Sequence, residues 1–376
     1  MTENAAAGKR LQNMSIYVRI IAAAVGFALL ILCIICSDAV KSGISAGVQL
    51  CLGVLIPSLF LPMTLCAFLQ KSGVVSLVGK YIDRPSRFCF NISGTAAAAF
   101  ILGCISGYPS GAVLSRSLFD CGEIDIATAR RLCSVCVCGG PAFILLGVGD
   151  GLLHSRAAGR ILLCSHIIAA VFLLFMSGLF AKTRQKGKIM TENRAVYDKS
   201  KLKAVGFGLT CAVTGAVKSS ANSMLGICAY TVLFSAVISA VGGFLSSGAM
   251  SVVTGVCEVT NACVYLANTH NIPMISAALG FSGLSVIAQV ISAARELCDI
   301  KRLLIYRIMF AAVSFAICSL LLIIFPQPIS VQNDSLVAVF YISSGTMAMS
   351  CLLIAATAIF LYSLYQRSEP DLHDFF

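Results

Sequence analysis

The chain carries one apolar run of twenty or more residues after another, separated by short polar stretches. About 20 residues of helix cross the hydrocarbon core of a bilayer. Inside that core the backbone must satisfy its own hydrogen bonds, which leaves helical bundles and closed barrels. Runs of this length fit helices, so the sequence implies a polytopic all-α membrane protein with almost no soluble domain. Composition agrees: of 376 residues, 58% are hydrophobic and 11% charged, where a water-soluble domain carries about a quarter charged residues. The first run, Ser15 to Ile35, is too long for the core of a secretory leader, and no small-residue cleavage site clearly follows it. It reads as a first span.

The net charge of +11 would point to nucleic acid in a soluble protein. Here most basic residues fall in short loops between spans, as the positive-inside rule expects. Neither a zinc finger nor a basic helix with interleaved aromatics occurs. The lipid bilayer is therefore the expected partner and nucleic acid is not. The 18 cysteines are dispersed, mostly within apolar runs, where cysteine behaves as a small buried hydrophobe. The densest group, Cys133, Cys136 and Cys138, falls in an expected helix. A zinc site would need a second pair, or histidines at ligand spacing. His154, His166, His270 and His373 do not supply that. No metal, disulfide framework or cofactor is expected.

Eight spans are expected. Six lie at about 15–37, 44–69, 159–180, 223–247, 303–325 and 336–364. Two more, about 125–149 and 272–292, are interrupted at Gly139-Gly140-Pro141 and at Phe281-Ser282-Gly283. Pro57 and Pro62 predict a kink in 44–69. A basic loop, 71–87, carries Lys71, Lys80, Arg84 and Arg87 against Asp83. In 90–122, the run from Thr95 to Ile105 is too short to span. It meets Ser106-Gly107-Tyr108-Pro109-Ser110-Gly111, a strong turn signal, and a second short run ends near Cys121. Two short arms around such a tip predict a re-entrant hairpin. Residues 249–270 form a second short-arm unit, centred on Gly255 to Asn261. Residues 206–222 are weakly apolar and read as interfacial. The stretch 182–203 is the most charged and reads as a solvated loop between two halves.

The organisation is thus a tail and first span (1–43), a first repeat (44–181), a basic linker (182–205), a second repeat (206–325), and a last span with tail (326–376). Charge sets the orientation. With both termini in the cytoplasm, every strongly basic loop lies inside, leaving Arg156 and Arg160 outside. The two repeats then point in opposite directions. Inverted repeats with broken helices meeting near the midplane are a recurring transporter plan.

The run Gly103-Cys104-Ile105-Ser106-Gly107-Tyr108-Pro109-Ser110-Gly111-Ala112, followed by Gly139-Gly140-Pro141-Ala142-Phe143-Ile144, resembles the first nucleoside recognition, or Gate, domain of sporulation integral membrane proteins of the YlbJ type. Phe281-Ser282-Gly283-Leu284-Ser285-Val286 and Gln289, with Glu258 upstream, resemble the second. The resemblance covers roughly residues 45–325. The wider group is similar to concentrative nucleoside transporters, in which two opposed hairpins and two unwound helices hold the substrate. It implies a transporter-like core in the cell membrane, serving endospore formation in a spore-forming source. The chain departs from the pattern near 261 or 262, where a glycine is expected and Asn261 and Ala262 stand, and at Ser282, where a second glycine is expected.

Glu258 is the sharpest candidate. A carboxylate in an apolar segment costs about 2.5–3.5 kcal/mol to insert and needs a partner or a cavity. It is either a site for a substrate, coupling cation or proton, or a carboxylate that fixes its own turn through backbone amides. Ser106, Tyr108 and Ser110 offer hydroxyls at the opposing tip, where Gly107, Pro109 and Gly111 equally serve turn chemistry. Asn261, Ser282 and Gln289 can bond a polar substrate. Gln289 can instead tie helices together. The breaks at Gly140, Pro141 and Gly283 free backbone groups that can face a ligand. Arg116, Arg130 and Arg131 read as inside anchors. No hydrolase triad occurs, and the glycine-rich tips lack the lysine of a P-loop, so nothing points to an enzyme. The runner-up reading is a structural or assembly protein of the spore envelope.

Overall fold

The computed structural model describes residues 16–185, 205–269 and 271–326. Among these, every regular element is helical. The expected last span, residues 1–14 and most of the basic linker lie outside the described residues. Five helical stretches are long and apolar enough to cross a membrane, and a bent pair makes a sixth. The chain is an all-α, multi-pass membrane protein.

Helix α1 (Ile16–Ile35) leads through Cys36 into α2 (Ser37–Leu50). A π-helical turn, Cys51–Leu55, joins α2 to α3 (Ile56–Lys71). Ser37–Lys71 is therefore one span of 35 residues, beginning earlier than the expected 44. Pro57 lies in the first turn of α3, just after the π turn, where an irregular ladder tolerates its missing N–H.

The expected basic loop 71–87 is mostly helix. Helix α4 (Val74–Phe90) turns by 89° into α5 (Gly94–Ser106). Val75, Ser76, Gly79 and Ser86 are buried, while Lys80, Tyr81, Arg84, Arg87 and Phe88 are exposed. A face mixing basic and large apolar side chains is what a helix lying along a membrane surface presents. Asp83 fixes the corner. Its Oδ1 accepts from the Gly94 amide at 2.7 Å and its Oδ2 from Arg87 Nε at 2.7 Å.

Helix α6 (Ser110–Asp120) returns from α5 around Gly107-Tyr108-Pro109, with the Tyr108–Pro109 peptide cis. Asp125 caps α7 (Ile126–Val135), as its position predicts, accepting from the Ala127 amide at 3.2 Å. Residues 136–140 are non-helical, so Cys136 and Cys138 are not in the expected helix. Helical structure resumes at Pro141 and is π-helical over Phe143–Leu152. Helix α8 (Arg156–Gln185) follows. In the second half, α9 (Val205–Gly242) is one helix of 38 residues and absorbs the stretch read as interfacial. Then come α10 (Ser247–Cys257), α11 (Val259–Ala267), α12 (Ile272–Phe281), α13 (Gly283–Ala294) and α14 (Ile300–Ile324).

Small residues and hydroxyls hold the spans together, as lipid supplies no hydrophobic drive between them. Helix α2 packs on α9 through Gly43 and Gly47. A β-carbon at Gly43 would lie 2.5 Å from the Ser235 carbonyl oxygen, and one at Gly47 would lie 2.9 Å from Val232 Cα. Ser165, Ser276 and Ser314 link α8, α12 and α14, with Oγ–Oγ separations of 3.1 and 2.5 Å. Arg131 is a tie between elements more than a free anchor. It donates to Ser177 Oγ at 2.7 Å, to the Leu174 carbonyl at 3.1 Å, and to the Phe90 and Asn91 carbonyls at the end of α4.

Candidate functional site

The first centre forms where the α5–α6 turn meets the break after α7. Gly103, Gly107 and Gly111 recur every four residues and all face residues 136–140. A β-carbon at Gly107 would sit 2.9 Å from the Gly140 nitrogen. At Gly103 and Gly111 it would meet Cys136. Gly107 also has φ 83°, a left-handed angle that glycine adopts without strain. The glycines therefore let one backbone lie directly on another.

Buried non-helical backbone needs partners for its polar groups. Two side chains from later spans supply them. His166 Nε2 on α8 accepts from the Gly139 amide at 2.9 Å. Arg307 on α14 donates to the Ser134 carbonyl at 2.9 Å, to the Val137 carbonyl, and at 3.5 Å to the Gly280 carbonyl. Its guanidinium thus sits at the carboxyl ends of α7 and α12, one from each half, where the helix dipole is negative. Arg307 is fully buried, and none of its hydrogen bonds is to a carboxylate. Its Nε and His166 Nδ1 lack hydrogen-bond partners.

The second centre is the α10–α11 turn at Glu258, which is 2% exposed. Its Oε2 accepts from the Asn261 amide at 2.7 Å and from Asn261 Nδ2 at 3.0 Å. The carboxylate is therefore the N-cap of α11. Asn261 Nδ2 also lies 2.8 Å from Ser235 Oγ on α9. The α12–α13 break backs onto this turn. A β-carbon at Gly283 would lie 3.1 Å from the Cys257 carbonyl oxygen and from Glu258 Cα and N. Ser282 stands there at φ 68°, a conformation that costs a non-glycine residue about 1–2 kcal/mol.

A small cavity joins the two centres. Its polar lining is Tyr108, Thr231, Glu258, Thr260 and Gln289; Leu59 and Phe143 are among its apolar walls. The Tyr108 hydroxyl and Gln289 Oε1 are buried without partners. The cavity has room for about one water molecule and for no larger solute.

Of the residues singled out in the sequence, Tyr108, Glu258 and Gln289 line this cavity. Ser106 and Ser110 line a second one. Asn261 and Ser282 are not among the lining residues of either; Asn261 bonds Glu258, and the Ser282 hydroxyl donates to the Phe281 carbonyl. Gly107 and Gly140 meet each other, Gly111 meets Cys136, and Gly283 meets Glu258. Pro109 N-caps α6, and Pro141 follows the break. Arg307, His166 and Thr231 were given no role from sequence. A lone arginine five residues into an apolar run was the available signal, since such groups are costly and usually functional.

The described cysteines are free thiols, with Cys104 and Cys138 Sγ 3.5 Å apart. No group of three His, Cys, Asp or Glu able to hold a metal occurs among the described residues. Comparison with family models, curated proteins and solved structures gives no match.

Proposed function

We propose that the chain is a transporter-like membrane protein that moves a small polar organic molecule by alternating access. The observation that carries this reading is the single cavity lined by Tyr108 of the first turn, Glu258 of the second, and Gln289 just past the second break. In this reading the α5–α6 and α10–α11 pairs are re-entrant hairpins of two inverted repeats, entering from opposite faces. Both termini and the 182–205 linker are cytoplasmic. Tyr108 and Gln289 bond the solute, and Glu258 carries a coupling cation or proton. Arg307 holds the breaks of both halves at a fixed separation. The resemblance to the Gate group adds the substrate class, a nucleoside-like or anionic metabolite, and a role in endospore formation. The test is uptake or efflux by reconstituted vesicles across a panel of nucleosides and anionic metabolites. Saturable flux of one class supports transport, and no flux above empty vesicles for any of them counts against it.

A second reading has its own observation. Glu258 caps α11 in a cavity with room for about one water, as a purely structural carboxylate would. On that reading the chain is a structural or assembly protein of the spore envelope that retains a transporter's architecture.

A further inference from the structure

The second cavity, with room for about two water molecules, lies among α3, α5, α6 and α9. Gln70, Ser106, Ser110, Ser219, Ser220 and Ser223 supply its polar lining, and no charged side chain lines it. Ser106 is 1% exposed, and its hydroxyl has no hydrogen-bond partner among the described residues. The three α9 serines belong to the run Lys218-Ser219-Ser220-Ala221-Asn222-Ser223. That run is polar inside a stretch otherwise apolar enough to cross a membrane, Thr210–Gly242. Hydroxyls at such a position need protein partners or water. Here they converge from three segments on one space.

The cavity lies against the lysine-bearing end of α3. Gln70 precedes Lys71, the last residue of α3. Lys71 packs beside Gly215, one turn before Ser219 on α9. At 1.5 Å per residue, α9 is longer than the roughly 30 Å hydrocarbon core, so part of it stands outside. The turn around Gly107 separates the two cavities. Ser106 and Ser110 face this one, and Tyr108 faces the other.

We propose that this cavity is a hydrated vestibule beside Lys71 that, on opening, receives an uncharged, hydroxyl-rich solute before the turn admits it to the Glu258 cavity. Hydroxyl and amide groups on apolar walls can exchange bonds with a polyol, and nothing in the lining balances a charge. The solute's onward passage rests on the transport reading; hydration of the cavity does not.

Hydroxyl-radical footprinting of the unmodified chain in lipid nanodiscs tests it. Met63 lines the cavity, and Met309 lies in the helical core; they are 3% and 4% exposed. Radicals form from water, so the vestibule predicts several-fold faster oxidation of Met63 than of Met309. Equal rates overturn the proposal. Ribose, added as the hydroxyl-rich probe, should lower the Met63 to Met309 ratio, because the ratio cancels scavenging in bulk. An unchanged ratio overturns the solute assignment. Ser223→Leu, which fills the space, should lower the Met63 rate as well. Fast Met63 oxidation in a chain that transports nothing would remove the transport reading and leave the vestibule standing.

Discussion

Ser282 and Arg307 show how much a single residue can carry in this chain, and how differently two residues can be read. Ser282 stands in a left-handed backbone conformation at φ 68°, where the resemblance expects glycine. Ser282→Gly should raise stability by about 1 kcal/mol, seen as a higher unfolding midpoint in detergent. A lower midpoint would mean that its hydroxyl bond to the Phe281 carbonyl matters more than the strain. Arg307 is the opposite case. Its identity was plain, but its partners are backbone carbonyls from two distant breaks, which no local pattern records. Arg307→Lys should cost several kcal/mol, because one ammonium cannot reproduce the planar fork that spans these carbonyls. An unchanged midpoint would mean the guanidinium is not holding the breaks. Glu258 was legible as a lone carboxylate, with bonds to the amides of its own turn as one of two readings; that the amide is Asn261's is seen only in the structure.

At the scale of elements, long apolar runs were easily read and irregular ones less so. The 300–324 helix ends at Ile324, ahead of Pro326, because its sequence cannot continue. The charges of α4 give it the look of a loop in sequence, while its buried face of Val75, Gly79 and Ser86 belongs to a helix. Helix α9 was divided because its polar serine run lowers local hydropathy, yet that run faces a cavity within one continuous helix. The α2–α9 contact had a signal that went unread, two glycines four apart at Gly43 and Gly47, which permit close helix approach. Gly47→Leu should cost about 1–3 kcal/mol through overpacking against Val232 and Ser235. Gly226→Leu on α9, where nothing lies within 4 Å, should change the midpoint little. Equal effects from both would show that helix α2 does not depend on this contact.

At the scale of the whole molecule, the proposed reading has two halves that share a plan of short arms, a turn and a broken helix. The account requires them to enter the membrane from opposite faces. A cysteine at Ser200 in the basic linker, on a cysteine-reduced background, should be labelled by an impermeant reagent only from the cytoplasmic side. Labelling from outside would invert the arrangement on which the alternating-access reading stands. The most direct measurement concerns the charge at the shared cavity. Glu258→Gln keeps an amide oxygen that can cap α11 but removes the carboxylate, and so separates the turn's structure from its chemistry. With solute flux measured in vesicles alongside membrane abundance and unfolding midpoint, the account predicts flux reduced to background while abundance and midpoint stay near those of the wild type. Wild-type flux in Glu258→Gln would contradict it.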